Sequence, residues 1–232
     1  MDYSWYKGTD LGENIVKLHE ISQTFSNSIF VDLGVREGFS SGILCDRSKE
    51  LNNKIYGVDI DFSLLKSNLV QGQNYEIIEG DSSTIGRDFE IPEGVDILFV
   101  DTLHVKEQVL CELYYWVDKL NTNSYIVFHD THWSDGVQEK INGITWDRVD
   151  DAIVEFFKLK ELKSQKNKNI EVTCYPESYG MTFIKIKNKV DFKNNIKNWN
   201  AVFESRNKLI SYYWNSGNVG NKIIDLEMKV NA

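Results

Sequence analysis

The alternation of apolar and polar positions along the chain predicts a protein of alternating strands and helices. Short apolar runs typical of strands occur at residues 29–33, 54–59, 75–78, 95–100 and 125–128. Apolar residues recur at helical spacing before and between these runs, at residues 14–24, 39–51, 62–68 and 105–120. The run at 95–100 is almost continuously apolar, as expected of a central parallel strand that is buried on both faces. The pattern therefore predicts an α/β fold with a largely parallel sheet.

The second half of the chain adds a helix and a hairpin to this pattern. A helix is predicted at 147–162, and two further apolar runs follow at 170–174 and 181–186, joined only by residues 175–180. Strands joined by so short a connection pair in the antiparallel direction. We therefore predict a Rossmann-like, doubly wound sheet of seven strands, with six parallel strands and one antiparallel hairpin strand at the sheet edge.

The pattern changes again after residue 189. An amphipathic helix is predicted at 193–210, and a group of aromatic residues follows it at 212–214. We predict that residues 1–189 form one domain with an N-terminal helical lead. Residues 190–232 are then a helical extension and not an independent domain. Three roles are open for this extension: it could cover the sheet, build a homo-oligomer contact or close the substrate pocket.

Composition and charge narrow the functional classes. The chain has 232 residues and a formal net charge of −9, which disfavours a nucleic acid as partner. No apolar run approaches the roughly 18 residues that a membrane span requires. The N-terminus lacks the basic and apolar regions of a signal peptide, so a cytoplasmic location is expected. The three cysteines are widely separated, which predicts neither a disulfide framework nor a zinc cluster.

A glycine turn directly after the first strand is the first candidate binding site. Its pattern is Asp32-x-Gly34-x-x-x-Gly38-x-Ser40, and the helix at 39–51 begins within it. Glycine permits a positive φ and close approach of a ligand, while the start of a helix presents free N–H groups to it. A dinucleotide-binding turn has a further glycine for the pyrophosphate, but Val35 and Arg36 occupy that part of this turn. These features indicate a nucleotide-like ligand other than a dinucleotide.

The turn resembles motif I of the class I S-adenosylmethionine (SAM) dependent methyltransferases. The resemblance implies that SAM is the cofactor and that the acid, the glycines and Ser40 of the turn hold its amino-acid part. Asp59, at the end of the second strand, is at the position where nucleotide-binding α/β folds place an acid for the ribose hydroxyls. Asp61 competes for that role, and the resemblance favours Asp59. By the same resemblance, Asp81 and Ser82 after the third strand lie at the adenine position.

Acids and imidazoles follow the fourth and fifth strands. Asp101 and His104 come after the run at 95–100, and His129, Asp130 and His132 come after the run at 125–128. The carboxyl ends of parallel strands meet at one edge of the sheet, where ligands bind. Histidine changes its charge near neutral pH, so His104, His129 and His132 are each candidates for a general base.

The same two strand ends resemble a particular branch of the methyltransferases. Residues 95–105 and 125–131 are similar to the metal-assisted small-molecule O-methyltransferases and their cephalosporin-hydroxylase-like relatives, and the resemblance extends from about Gly8 to Lys187. It implies a divalent cation bound by Asp101, His129 and Asp130, with Asp101 also bordering the cofactor. His129 replaces the first member of the usual acidic pair. Magnesium prefers oxygen ligands, whereas imidazole better suits manganese, iron or zinc.

Together these features predict a SAM-dependent O-methyltransferase that acts on a hydroxyl of a small molecule, such as a sugar or natural product. Either a divalent cation or one of the histidines would activate the hydroxyl. An alternative from another class is a non-catalytic protein that binds SAM or a sugar nucleotide and presents an interface to a partner. A nicotinamide oxidoreductase is disfavoured because the glycine turn lacks the pyrophosphate-binding glycine.

Overall fold

The computed structural model describes residue 9 and residues 11–132, 140–141, 144–145 and 148–215. Parts of the predicted N-terminal lead and of the C-terminal extension lie outside these residues. The strands are β1 (Ile29–Leu33), β2 (Lys54–Asp59), β3 (Tyr75–Glu79), β4 (Val95–Val100), β5 (Leu120–His129), β6 (Lys140–Ile141), β7 (Ile144–Thr145), β8 (Gln165–Lys166), β9 (Ile170–Tyr175) and β10 (Met181–Ile186). The α-helices are α1 (Asn14–Ser22), α2 (Phe39–Cys45), α3 (Ser82–Asp88), α4 (Lys106–Trp116), α5 (Val149–Phe157) and α6 (Trp199–Asn215).

The main sheet contains eight strands in the order β3-β2-β1-β4-β5-β10-β9-β8. Strands β1 to β5 are parallel, and β10 pairs antiparallel with both β5 and β9. Strand β9 therefore runs in the same direction as β1 to β5, which gives the six parallel strands that the sequence predicted. The Rossmann-like fold class is confirmed.

Two details of the sheet differ from the prediction. The antiparallel strand β10 lies between β5 and β9 and not at the edge, because its residues Met181–Ile186 are buried along nearly their whole length. The edge is instead formed by an eighth strand, β8, which pairs antiparallel with β9. Its two residues, Gln165–Lys166, are polar and so give no apolar signal in the sequence.

The central strands are covered by helices on both faces. Successive residues of a strand point to opposite faces, so Leu98 and Val100 of β4 pack in one apolar cluster while Ile97 and Phe99 pack in another. The first cluster includes buried side chains of α4 and α5, and the second includes those of α1 and α2. The almost continuous apolar run of β4 follows from this double burial.

Two predicted helices are shorter or absent. Helix α2 ends at Cys45 because Asp46 leaves the helical region and Arg47 has a positive φ of 57°. Residues 62–68 form turns and a short 3-10 helix at Ser67–Leu69 instead of an α-helix. The Asp61 carboxylate there accepts a hydrogen bond from the backbone N–H of Ser63, a local bond that competes with helix formation. No described helix is long and apolar enough to cross a membrane.

Helix α6 packs on the outside of α4. The ring of Trp199 stacks on Tyr114 with centroids 3.7 Å apart and planes within 11°. Trp199 and Val202 also border the apolar cluster on that face of the sheet. The described part of the predicted C-terminal extension is thus part of the helical layer that covers the sheet.

Candidate active site

The glycine turn after β1 has the backbone that the sequence pattern requires. Gly34 and Gly38 have φ values of 88° and 87°, which residues with a side chain rarely adopt. A Cβ added to Gly34 would lie 2.0 Å from the carbonyl oxygen of Asp101. The turn after β1 therefore lies against the end of β4 with no space for a larger residue.

Asp32 lies beneath this turn and holds it. Its side chain is buried, and one oxygen accepts hydrogen bonds from the hydroxyls of Ser40, at 2.9 Å, and Ser41. Burial raises the pKa of Asp32 to about 7, although the two hydroxyls act in the opposite direction. The structure thus places Asp32 and Ser40 as a pair that joins the strand to the first turn of α2.

A pocket of about 410 Å³ opens at the carboxyl ends of β1, β2, β3 and β4. It is lined by residues of the glycine turn, of the end of β2, of the loops after β2, β3 and β4, and of α3, α4 and α6: Gly34, Arg36, Val58, Asp59, Ile60, Gly80, Asp81, Ser82, Asp101, Thr102, Leu103, Gln108 and Ile210. Five of the eight residues predicted to bind the cofactor line this one pocket. Of the other three, Gly38 and Ser40 lie in and just after the glycine turn, and Asp32 is buried beneath it.

Asp59 is held in a fixed orientation in this pocket. One of its oxygens accepts the backbone N–H of Arg36 at 2.8 Å, and the other accepts that of Asp61 at 3.0 Å. The carboxylate thereby connects the end of β2 to the glycine turn. Each oxygen retains a lone pair with which it can accept a further hydrogen bond, as a ribose hydroxyl would require.

Asp81 and Ser82 belong to a buried polar network behind the pocket. One oxygen of Asp81 caps α3 by accepting the backbone N–H of Thr84 at 2.9 Å, and its other oxygen forms a close ion pair with Arg206 of α6. The hydroxyl of Ser82 donates to Glu112 of α4. Both predicted adenine-binding residues therefore have partners within the protein as well as a position in the pocket wall.

Glu112 is the acceptor at the centre of this network. The same oxygen accepts from the hydroxyl of Thr102 at 2.7 Å and from the amide of Gln108 at 2.8 Å, as well as from Ser82. Its other oxygen is buried with no partner among the described residues. Burial raises the pKa of Glu112 to about 7, against the effect of the three donors.

A cluster of acids and an imidazole lies beside this pocket. One ligand atom each of Asp101, His104 and Asp130 lies within 4.8 Å of the other two. The Nε2 atom of His104 is 3.1 Å from Oδ1 of Asp101 and 3.0 Å from Oδ2 of Asp130. Two carboxylates and an imidazole converging on one point are a donor set that fits a divalent cation.

The predicted metal set differs from this cluster by one residue, because it contained His129 instead of His104. His129 is buried, and its Nδ1 lies 3.5 Å from Asp101 and 3.4 Å from Asp130, behind the two carboxylates. Burial lowers the pKa of His129, but the two carboxylates outweigh this effect and raise it to about 11. Conversely, burial alone would raise the pKa of Asp101, whereas its contacts with His104 and His129 hold it well below its usual range.

Of the three histidines predicted as bases, only His104 lines a pocket described here. It borders a second pocket of about 150 Å³, together with Leu11, Gly34, Val35, Arg36, Glu37, Phe39, Ser40, Asp101, Thr102 and Asp130. His132 instead contacts the turn before β10: its backbone N–H donates to the carbonyl of Tyr179 at 2.7 Å, and its Nδ1 lies 3.1 Å from the hydroxyl of Thr131.

Several residues of the site carry no signal that the sequence analysis used. Gln108 and Glu112 lie on one face of α4, which the helical pattern explains as an ordinary amphipathic helix. Arg206 is a single arginine in a C-terminal helix, 125 positions from its partner Asp81. Thr102 could have been recognised from its position next to Asp101.

Comparison with known proteins agrees with this architecture. A family model described as a methyltransferase domain matches residues 31–131. An uncharacterised protein of Acanthamoeba polyphaga mimivirus is 24% identical over 197 residues, which cover 76% of this chain and 82% of that protein.

Solved structures with the same fold include methyltransferases of different specificity. The O-methyltransferase TomG from Streptomyces achromogenes, in complex with SAM, is 14% identical, with 75% of this chain and 80% of that chain covered and a TM-score of 0.56. A methyltransferase from Podospora anserina bound to S-adenosylhomocysteine (SAH) is 14% identical, with 76% and 88% covered and a TM-score of 0.53. An rRNA methylase from Streptococcus thermophilus is also 14% identical, with 75% and 95% covered and a TM-score of 0.51. Residues 31–131 thus match a methyltransferase domain, and the chain has the fold of these SAM- and SAH-bound methyltransferases.

Proposed function

We propose that this protein transfers the methyl group of SAM to a hydroxyl oxygen of a small molecule, and that a divalent cation held by Asp101, His104 and Asp130 assists the transfer. The observation that carries the proposal is the convergence of these three side chains in the wall of a second pocket next to the cofactor pocket. A site for binding SAM alone has no need of such a cluster.

The two pockets adjoin, which is what methyl transfer between two molecules requires. Gly34, Arg36, Asp101 and Thr102 line both of them. Methyl transfer is an in-line displacement, so the acceptor oxygen must approach the methyl carbon from the side opposite the sulfur. With SAM in the 410 Å³ pocket, the 150 Å³ pocket is the adjacent space for the reacting part of an acceptor. Its small size supports a small-molecule acceptor, as does the net charge of −9.

The chain supplies the ligands and the charge balance of a cation site. Asp101 and Asp130 bring two carboxylates to the cluster, and the pKa of Asp101 is well below its usual range, so it is ionised at neutral pH. A bound cation would lower the pKa of an acceptor hydroxyl and hold the acceptor in place. His129 lies behind the carboxylates, with Nδ1 3.5 Å from Asp101 and 3.4 Å from Asp130.

Without a cation, His104 is the described histidine that could serve as the base. Its Nε2 borders the second pocket and contacts both carboxylates, so a proton accepted there would be stabilised by Asp101 and Asp130. His129 is buried and lines neither pocket, so it does not face an acceptor. The two mechanisms therefore differ in the role of His104, which is either a ligand or a base.

An activity assay with and without metal tests the proposal. SAH formation would be measured with a panel of hydroxylated aromatic and sugar acceptors, after treatment with EDTA and after addition of Mg²⁺, Mn²⁺ or Zn²⁺. We expect turnover of at least one acceptor, loss of turnover with EDTA and recovery with a cation. His104→Gln should raise the cation concentration needed for half-maximal activity, whereas His132→Gln should not.

Other outcomes of this assay would change the assignment. Turnover that survives EDTA but is lost in His104→Gln would replace metal assistance with general-base catalysis. Turnover that survives both changes would remove the cluster from the mechanism. If SAH binds but no acceptor in the panel is methylated, a protein that binds SAM without catalysis becomes the better account.

A further inference from the structure

We propose that helix α6 forms the wall of the cofactor pocket next to Asp81, and that Arg206 is a positioning residue that couples docking of this helix to binding of SAM. The inference rests on the assignment of the 410 Å³ pocket to SAM. It concerns a helix in the C-terminal part of the chain, outside the segment that matches the methyltransferase domain.

Arg206 is a buried cation that connects α6 to two other elements. Its side chain is only 1% exposed. One terminal nitrogen forms the ion pair with Asp81 at the start of α3, and Nε donates to the side-chain carbonyl of Gln108 on α4 at 2.9 Å. A third contact, from the other terminal nitrogen to Asn207, is 3.0 Å long. Burying an arginine is costly unless its charge is paired, so the buried position of Arg206 depends on these partners.

Asp81 and Gln108, which Arg206 contacts, line the cofactor pocket, and so does Ile210, one helical turn further along α6. The guanidinium group therefore lies directly behind the pocket wall, while Ile210 is part of the wall itself. If α6 moved away, the pocket would lose an apolar side chain. Asp81 and Gln108 would at the same time lose the group that orients them.

The contacts of Arg206 fix the donors and acceptors that the wall presents. Because the carbonyl of Gln108 accepts from Arg206, its amide must donate, and it does so to Ser82 at 3.1 Å and to Glu112 at 2.8 Å. One oxygen of Asp81 is already occupied by Ser83 and Thr84. Arg206 fixes the other oxygen, so the carboxylate has a single orientation towards the pocket. A ligand that requires this arrangement of Asp81 and Gln108 binds the state in which α6 is docked, and thereby stabilises that state.

Titration calorimetry with SAH tests this coupling. Arg206→Met keeps most of the side-chain volume but removes the charge, and Ile210→Ala changes the wall without disturbing the ion pair. We expect Arg206→Met to raise the Kd for SAH by about ten- to a hundredfold, because the net worth of a buried hydrogen bond to a charged group is then lost from the docking of α6 that SAH binding requires. Arg206→Lys should lie between wild type and Arg206→Met. Ile210→Ala should weaken binding less, and Lys208→Ala, an exposed residue of the same helix, should bind as wild type does.

Hydrogen exchange measures whether SAH stabilises α6, an effect that a purely structural role of Arg206 would not produce. In the wild type, SAH should slow amide exchange across residues 199–211, and in Arg206→Met this protection should be lost. The thermal midpoint of each variant identifies any that has failed to fold, and Ile210→Ala then carries the test.

Two sets of results separate the coupling of α6 to SAM binding from the assignment of the pocket to SAM. If wild type binds SAH, but Arg206→Met and Ile210→Ala bind it equally well or more tightly, with no protection of α6, the coupling is refuted while the SAM site stands. If wild type does not bind SAH, the assignment of the pocket itself fails.

Discussion

Glu112 provides a quantitative test of the buried network behind the pocket, through the dependence of stability on pH. Its carboxyl group is buried, and its pKa is raised from 4.5 to about 7 in the folded protein. Below pH 4.5 the group is protonated in both states and contributes no pH dependence. Between pH 4.5 and 7 the unfolded chain releases its proton while the folded protein retains it, so the free energy of unfolding falls as pH rises.

The size of this effect follows from the difference in pKa. A difference of about 2.5 pKa units, at about 1.4 kcal/mol for each unit, corresponds to roughly 3 kcal/mol lost between pH 4.5 and 8. Glu112→Gln removes the titration but keeps an oxygen that can accept from Ser82, Thr102 and Gln108. The variant should therefore become more stable relative to wild type, by roughly 3 kcal/mol, between pH 4.5 and 8.

Urea unfolding at several pH values between 4.5 and 8 measures this difference directly. A constant offset between the two proteins is expected, because the new amide N–H takes the place of an oxygen that has no partner among the described residues. The change of that offset with pH is therefore the relevant quantity. Glu107→Gln, on the same helix but partly exposed, is the matched control, because it makes the same substitution outside the buried network. An offset between wild type and Glu112→Gln that stays constant from pH 4.5 to 8 would refute the reasoning.

Two further predictions concern the glycine turn and helix α6. Gly34→Ala should abolish measurable SAH binding and lower the free energy of unfolding by more than about 2 kcal/mol. Residue 34 has a positive φ, and the new methyl group would overlap the carbonyl of Asp101. An unchanged SAH affinity and urea midpoint would contradict this close approach. Trp199→Ala should lower the free energy of unfolding by roughly 2 kcal/mol, because it removes the ring that stacks on Tyr114. Asn200 is exposed, so Asn200→Ala should change it little. Equal urea midpoints for the two variants would show that the stack does not hold α6.

The sequence predicted those parts of the structure that depend on local pattern. Val95–Val100 is apolar at almost every position because both faces of β4 are covered, so its central place in the sheet could be inferred. The sequence also indicated that the acids at the strand ends lie close together, because parallel strands align their carboxyl ends. The glycine turn carried the same kind of information, since a positive φ limits which residue can occupy it.

The remaining features depend on contacts between distant segments or on the direction of a single side chain. Asp130 has a positive φ of 53°, which places its carboxylate beside that of Asp101, while His129, the last residue of β5, is buried behind them. Nothing in the order of residues distinguishes His104 from His129 as the third member of the cluster. The ion pair between Arg206 and Asp81 joins residues 125 positions apart and leaves no periodic signal.

The most direct test of the central claim is a calorimetric titration of SAH into the wild-type protein and into Asp59→Ala. The account predicts saturable binding with one SAH per chain. Asp59→Ala should weaken it by about 1–3 kcal/mol, because the ribose hydroxyls lose an acceptor that two backbone N–H groups hold in place. Absence of SAH binding in the wild type would contradict the claim that this pocket is a SAM site, and equal affinity of the two proteins would contradict the role of Asp59 in it.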